Sequence, residues 1–292
     1  MSAAVTLVSG PAKATIDALG AEARNWSVGD VDLLWPGDPD IWGEISPLLY
    51  PVVGWTRDGA RVEGRHYDLQ LHGFARKHLF EVETKTADFA RFTLADNEAT
   101  RAIYPFAFRF AAEYALSAEA LTMTLEVENT GDVPAPYACG LHPGFNWPLA
   151  GGKKAGALVR FEKEEAAEVP VMAPGGLIGK SLRPVPLTGR ELPLSDQLFL
   201  GDALCFLDPQ SRSLRFEQAD GSSIEMDFAG FDHCALWMRP GAPFLCLEAW
   251  TGYSDPEGFA GDLFEKPGMK VLPPGGRARH SARYVYAPAR SP

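Results

Sequence analysis

The sequence predicts an all-β protein, a large antiparallel β-sandwich with few short helices. Three observations predict it. Apolar and polar residues alternate over many short runs, as in "LTMTLEVEN", which places Leu121, Met123, Leu125 and Val127 on one face of a strand. Gly (29) and Pro (24) punctuate the chain often enough to turn it every eight to twelve residues. No run of twelve or more residues carries a helical period.

The elements follow in order. "AKATIDALGAEARNWSVGDVDLLW" reads as short strands turning at Gly20 and at Gly29-Asp30. "RFTLAD", "FAFRFAAEYAL" and "ALTMTLEVENT" are three alternating strands. The stretch from 150 to 200 is the least regular and reads as loops and short strands, with "FEKEEAAEV" either a helical turn or a charged loop. "LCFLD" continues the strand pattern, and "SLRFEQADGSSIEMDF" reads as two strands joined at "ADGSS" by a hairpin turn. The last strand, "RARHSARYVYAP", carries Tyr284 and Tyr286 on one face. No Ser/Gly/Pro linker and no fixed-period repeat divides the 292 residues, so a single domain over 1–292 is expected.

Composition narrows the partners. With 46% hydrophobic and 22% charged residues, the chain is expected to bury a sizeable core. A net charge of −11 opposes phosphate backbones and anionic lipid, so nucleic acid and membrane are not expected partners. No apolar run is as long as a membrane span, and the N-terminus lacks a signal-peptide pattern, so a cytoplasmic protein is expected. Cys139, Cys205, Cys234 and Cys246 form no CxxC pair and sit among apolar residues, as reduced, buried thiols do. The sequence does not indicate an oligomeric state.

Three stretches set polar groups in apolar or Gly/Pro-rich surroundings. "LQLHGFARKHLFEV" carries His72 and Arg76. "ACGLHPGFNWPL" carries His142, held extended by Pro143 and followed by Gly144, where the chain is expected to turn and leave strand pairing. "LWMRPGAPFLCLEAWTGYSDPEGF" carries Glu248 at the end of the apolar run Phe244-Leu245-Cys246-Leu247. A carboxyl buried there has a raised pKa and can take and return a proton near neutral pH. The alternative is a Glu at the solvent end of its strand, or one paired with Arg239. Two His and one Glu also spell a 2-His-1-carboxylate metal site, but neither His72 nor His142 has a carboxylate two residues on. Trp35, Trp42, Trp55, Trp147 and Trp250 are candidate sugar platforms or plain core. There is no G-x-S-x-G elbow, P-loop or G-x-G-x-x-G.

The order "HGFAR", "GLHPGFNWPL", "PFLCLEAWTG" resembles the aldose 1-epimerase (galactose mutarotase-like) family, and is most similar to its bacterial LacX-like branch, related to hexose-6-phosphate mutarotases. "GDALCFLD" and "LPPGGRARHSARYVY" extend the likeness over nearly the whole chain. The resemblance implies a supersandwich fold with a sugar cleft, and an isomerase interconverting α and β anomers of an aldose or sugar phosphate with no metal or cofactor. It implies Glu248 as base at the C1 hydroxyl, His142 as acid at the ring oxygen, and His72 as an orienting donor. Acid and base are expected on opposite sides of one C–O bond, their polar atoms about a sugar ring apart. Asp202 would bind sugar hydroxyls, and Arg76 belongs to the motif. One position departs: relatives carry an arginine directly after the glycine of "YPVVGWTRDG", where this chain has Trp55. Arg57 would replace it if the segment were a strand, since i and i+2 share a face; otherwise Trp55 would stack on the sugar. A non-catalytic carbohydrate-binding module on the same fold is the second reading, and a metal enzyme using His72, His142 and Glu248 the third.

Overall fold

The computed structural model describes residues 3–289. Its largest sheet has nine antiparallel strands, from Glu191–Pro193 at one edge to Glu81–Lys85 at the other. Arg277–Ala287 runs through the middle, between Ser223–Asp227 and Ala120–Asn129. The period-2 pattern explains why these segments are strands: Tyr284 and Tyr286 are buried on one face while Arg283 is exposed on the other. The "ADGSS" hairpin forms as expected, with Gly221 at φ 84° and the Gln218 N–H donating to Ser222 O at 2.9 Å.

A second sheet carries the site. Phe244–Trp250 lies at its centre and is buried along its whole length. His233–Trp237 flanks it on one side; Gly140–Leu141 and Gly144–Asn146 flank it on the other. The two sheets pack face to face: the Tyr284 hydroxyl donates to Leu247 O at 3.2 Å, and the Tyr284 ring lies 5.3 Å from Phe145. Alternation then turns Cys246, Glu248 and Trp250 to the opposite face, away from the large sheet.

Of the two readings of "FEKEEAAEV", the loop holds, and it leads into the strand Glu168–Ala173. One α-helix was not anticipated: Glu98–Ile103, too short for a period to show, is fixed by the reciprocal caps of Asn97 and Thr100. The four cysteines are free and buried, as expected. No helix among the described residues is long and apolar enough to cross a membrane.

The "HGF" motif is a backbone device. His72 and Gly73 both lie in the left-handed region, at φ 59° and 69°. A side chain on Gly73 would put its Cβ 2.1 Å from Tyr50 O, a main-chain atom that also accepts the Phe74 N–H. Gly73→Ala is therefore expected to destabilise the fold by at least about 2 kcal/mol, combining left-handed strain with overpacking. Urea denaturation checks this; an unchanged midpoint would contradict the close approach.

Candidate active site

His142 and Glu248 are brought together by strand register. Gly140 stands opposite Trp250, Leu141 opposite Ala249, and Gly144 opposite Cys246. The register runs through unbroken, so His142 faces Glu248 directly across the ladder. The strand breaks at His142 and Pro143, as expected, but pairing resumes in the same register at Gly144, and the Pro143 carbonyl still accepts from Leu247 N at 3.2 Å. His142 Nε2 lies 3.3 Å from Glu248 Oε2. The expected separation by a sugar ring is thus corrected: the two groups touch.

Glu248 is 1% exposed, neither at the solvent end of its strand nor paired with Arg239. Its Oε2 also accepts the Trp250 indole N–H at 3.1 Å. Oε1 has no hydrogen-bond partner among the described residues. Burial pushes the carboxyl well above its usual range, Trp250 pulls it back, and Asp202 adds to the rise. Burial likewise pulls His142 down to about 3. Trp42 lies 5.2 Å from the His142 ring and Trp237 5.5 Å.

His72 comes from the left-handed turn, its ring 5.6 Å from His142 and perpendicular to it. The Gly54 N–H donates to His72 Nδ1 at 3.0 Å. A backbone N–H can only donate, so the neutral ring carries its proton on Nε2 and offers a donor. Burial, with His142 and Arg76 close by, keeps its pKa well below 6.5.

These three line one cleft of about 300 Å³ together with Asp202, Arg76 and Trp55. Asp202 sits at φ 72° with Oδ1 accepting the Ala203 N–H. Arg76 is held by Glu44 at 2.8 Å and by Leu71 O at 3.0 Å, so its cation is largely spent on the wall. Arg57 is not in this cleft; it lines a neighbouring groove. The segment is a loop and not a strand, turning at Gly54, Asp58 and Gly59 with positive φ, so the i, i+2 argument does not hold. Trp55 takes the place at the cleft wall. Of the other tryptophans, Trp42 and Trp250 line the cleft, while Trp35 and Trp147 are core. Trp237, Arg239 and Ser254 line it too and were not among the expected site residues.

The donor set suits protons better than a metal. His142, Cys246 and Glu248 have ligand atoms within 4.8 Å of one another. Burial holds the Cys246 thiol well above its usual pKa, which keeps it protonated. His72, which the metal reading requires, is outside this group, and its Nδ1 is occupied.

The aldose 1-epimerase family pattern matches residues 3–261. The chain belongs to the aldose 1-epimerase family. It is 30% identical over 256 residues to the protein LacX (chromosomal) of Lactococcus lactis subsp. lactis, covering 83% of this chain and 86% of that one. A galactose mutarotase-like protein of Lactobacillus casei superimposes with a TM-score of 0.91 at 25% identity, over 98% of this chain and 100% of that one. A galactose mutarotase related enzyme of Lactobacillus acidophilus gives 0.88 at 29%, over 99% of each. Family membership supports an isomerase-type enzyme acting on a sugar.

Proposed function

We propose that this epimerase-family chain interconverts the α and β anomers of an aldose by acid/base ring opening, and that the His142–Glu248 contact carries the reaction. The oxygens that exchange protons, O1 and the ring oxygen, are bonded to the same carbon. The groups serving them therefore belong side by side. Glu248 takes the proton of the C1 hydroxyl while His142 gives one to the ring oxygen, and the bond from C1 to the ring oxygen breaks. The aldehyde turns about C1–C2 and recloses with both transfers reversed. One proton enters the pair and one leaves, so its net charge is constant. Because reclosure reverses both transfers, the pair ends each turnover as it began, its two members held 3.3 Å apart. His72 Nε2–H supplies a further donor to a developing oxyanion.

The test is the equilibration of freshly dissolved α-anomers by polarimetry or NMR, over neutral and 6-phosphorylated aldoses. Acceleration above buffer is expected for at least one sugar. Sugar binding without acceleration would return the chain to the binding-module reading.

The same pair sets the pH dependence. It works while it holds one proton. Acid adds a second and removes the base, but only towards His142's value of about 3; alkali removes the first only above Glu248's raised value. His72 is neutral well below 6.5 as well. Buffer-corrected kcat/KM is therefore expected to show no acid limb near pH 6.5, its fall on the acid side being displaced towards His142's value of about 3. An acid limb near 6.5 would mean that an ordinary solvated histidine limits the rate.

A further inference from the structure

Two glycines flank His142 on its own face of the sheet. Gly140 pairs with Trp250 and Gly144 with Cys246, and His142 faces Glu248 between them. A glycine inside a sheet weakens it, and it marks a place where something else needs the room. Neither glycine has a positive φ, so the backbone does not ask for them. The room at each is taken by an indole. A Cβ on Gly140 would lie 2.7 Å from Trp250 Cδ1, and one on Gly144 would lie 2.9 Å from Trp42 Cζ3. Trp42 is the ring 5.2 Å from His142, and Trp250 is the ring whose N–H reaches Glu248. The missing side chains on either side of His142 thus admit the two tryptophans that adjoin the acid and the base.

Trp250 has the more definite task. Its ring is buried in a small apolar cluster with Leu49, Val53 and Ala203. An indole N–H only donates, and Glu248 Oε2, at 3.1 Å, is its one partner among the described residues. His142 Nε2 stands 3.3 Å from the same oxygen. Two neighbours on Oε2 fix the rotation of the carboxyl about its own axis and leave Oε1 as the oxygen without a partner. A donor on Oε2 also favours the ionised carboxyl, the form that can accept a proton.

We infer that Trp250 is the positioning residue of the base: its N–H holds Glu248 Oε2 so that Oε1 meets the substrate hydroxyl, and Gly140 is the seat its ring requires. The inference deepens the proposed acid/base reading and rests on it for its effect on rate.

Trp250→Phe keeps a flat apolar ring and loses the N–H. Its kcat is expected to fall about 10-fold, as the loss of a hydrogen bond to a charged group does, with KM within about 2-fold of the parent. Added to Glu248→Gln, the same change is expected to cost less than about 2-fold more, because the residue acts through the carboxyl. Gly140→Ala is expected to lower kcat as Trp250→Phe does, and the two together little further. A second readout needs no turnover. The 15N–1H signal of the Trp250 indole, assigned by its absence in Trp250→Phe, is expected to lie downfield in the parent and to move upfield in Glu248→Gln and in Gly140→Ala.

A Trp250→Phe protein with the parent's kcat, or one whose whole loss lies in KM, overturns the positioning role. So does an indole signal unmoved by Glu248→Gln. A folded Gly140→Ala protein with parent kcat and an unmoved signal overturns the seat; if that variant does not fold, the Trp250→Phe rates and the signal decide. A parent that anomerises no sugar defeats the proposed function alone, and the indole signal then decides whether Trp250 holds Glu248.

Discussion

The Glu248→Gln protein is expected to anomerise sugars about 10²–10⁴-fold more slowly than its parent, with its unfolding midpoint little changed. The amide keeps the shape of the carboxyl and can still accept the Trp250 N–H, the bond that now reaches Oε2. That choice turns its NH2 to the position of Oε1, the oxygen left for substrate. An NH2 there can only donate, and no proton can leave the C1 hydroxyl. Since His142 and Glu248 hold one proton between them, His142→Asn added to Glu248→Gln is expected to cost far less than His142→Asn alone. Polarimetric rates and a denaturation curve for each protein are the measurements. A Glu248→Gln protein keeping more than a tenth of the parent rate would show that another group is the base.

Strands were legible because they depend on spacing within a few residues. The alternation of Leu121, Met123, Leu125 and Val127 is visible without knowing what covers them, and these side chains are buried. The α-helix Glu98–Ile103 was not placed because six residues show no period. His142 and Glu248 stood out one at a time, by odd surroundings. The resemblance set them in one cleft a sugar ring apart; their direct contact was not legible, because register between strands so far apart is set by the whole sheet and leaves no local mark. The choice between Arg57 and Trp55 stayed open for a like reason: alternation is a property of strands, and the loop after Gly54 is not one.

Lys266→Met is expected to lower the unfolding free energy by about 3–5 kcal/mol, the cost of stranding a buried charge. Lys266 and Asp255 are 1% and 2% exposed, with Nζ 2.7 Å from Oδ1. Burial pulls the ammonium's pKa down, and Asp255 pushes it back. The pair differs in kind from one such as Arg101–Asp96, whose arginine is 54% exposed and whose loss should cost no more than about 1 kcal/mol. Asp255 also accepts the Arg57 N–H at 2.7 Å, and its own N–H donates to Trp55 O. Without Lys266, a lone anion is left in the loop contact that holds Trp55 against the cleft. Asn at 255 keeps an acceptor for Arg57 N–H and carries no charge, so Lys266→Met/Asp255→Asn is expected to regain most of the loss. Urea denaturation of both variants decides it, and a Lys266→Met protein within about 1 kcal/mol of the parent would mean that water reaches Asp255. Because Trp55 is positioned through this pair, the single variant is also expected to raise KM more than it lowers kcat. The charges it disturbs sit behind Trp55, not at His142 and Glu248, the pair proposed to transfer protons.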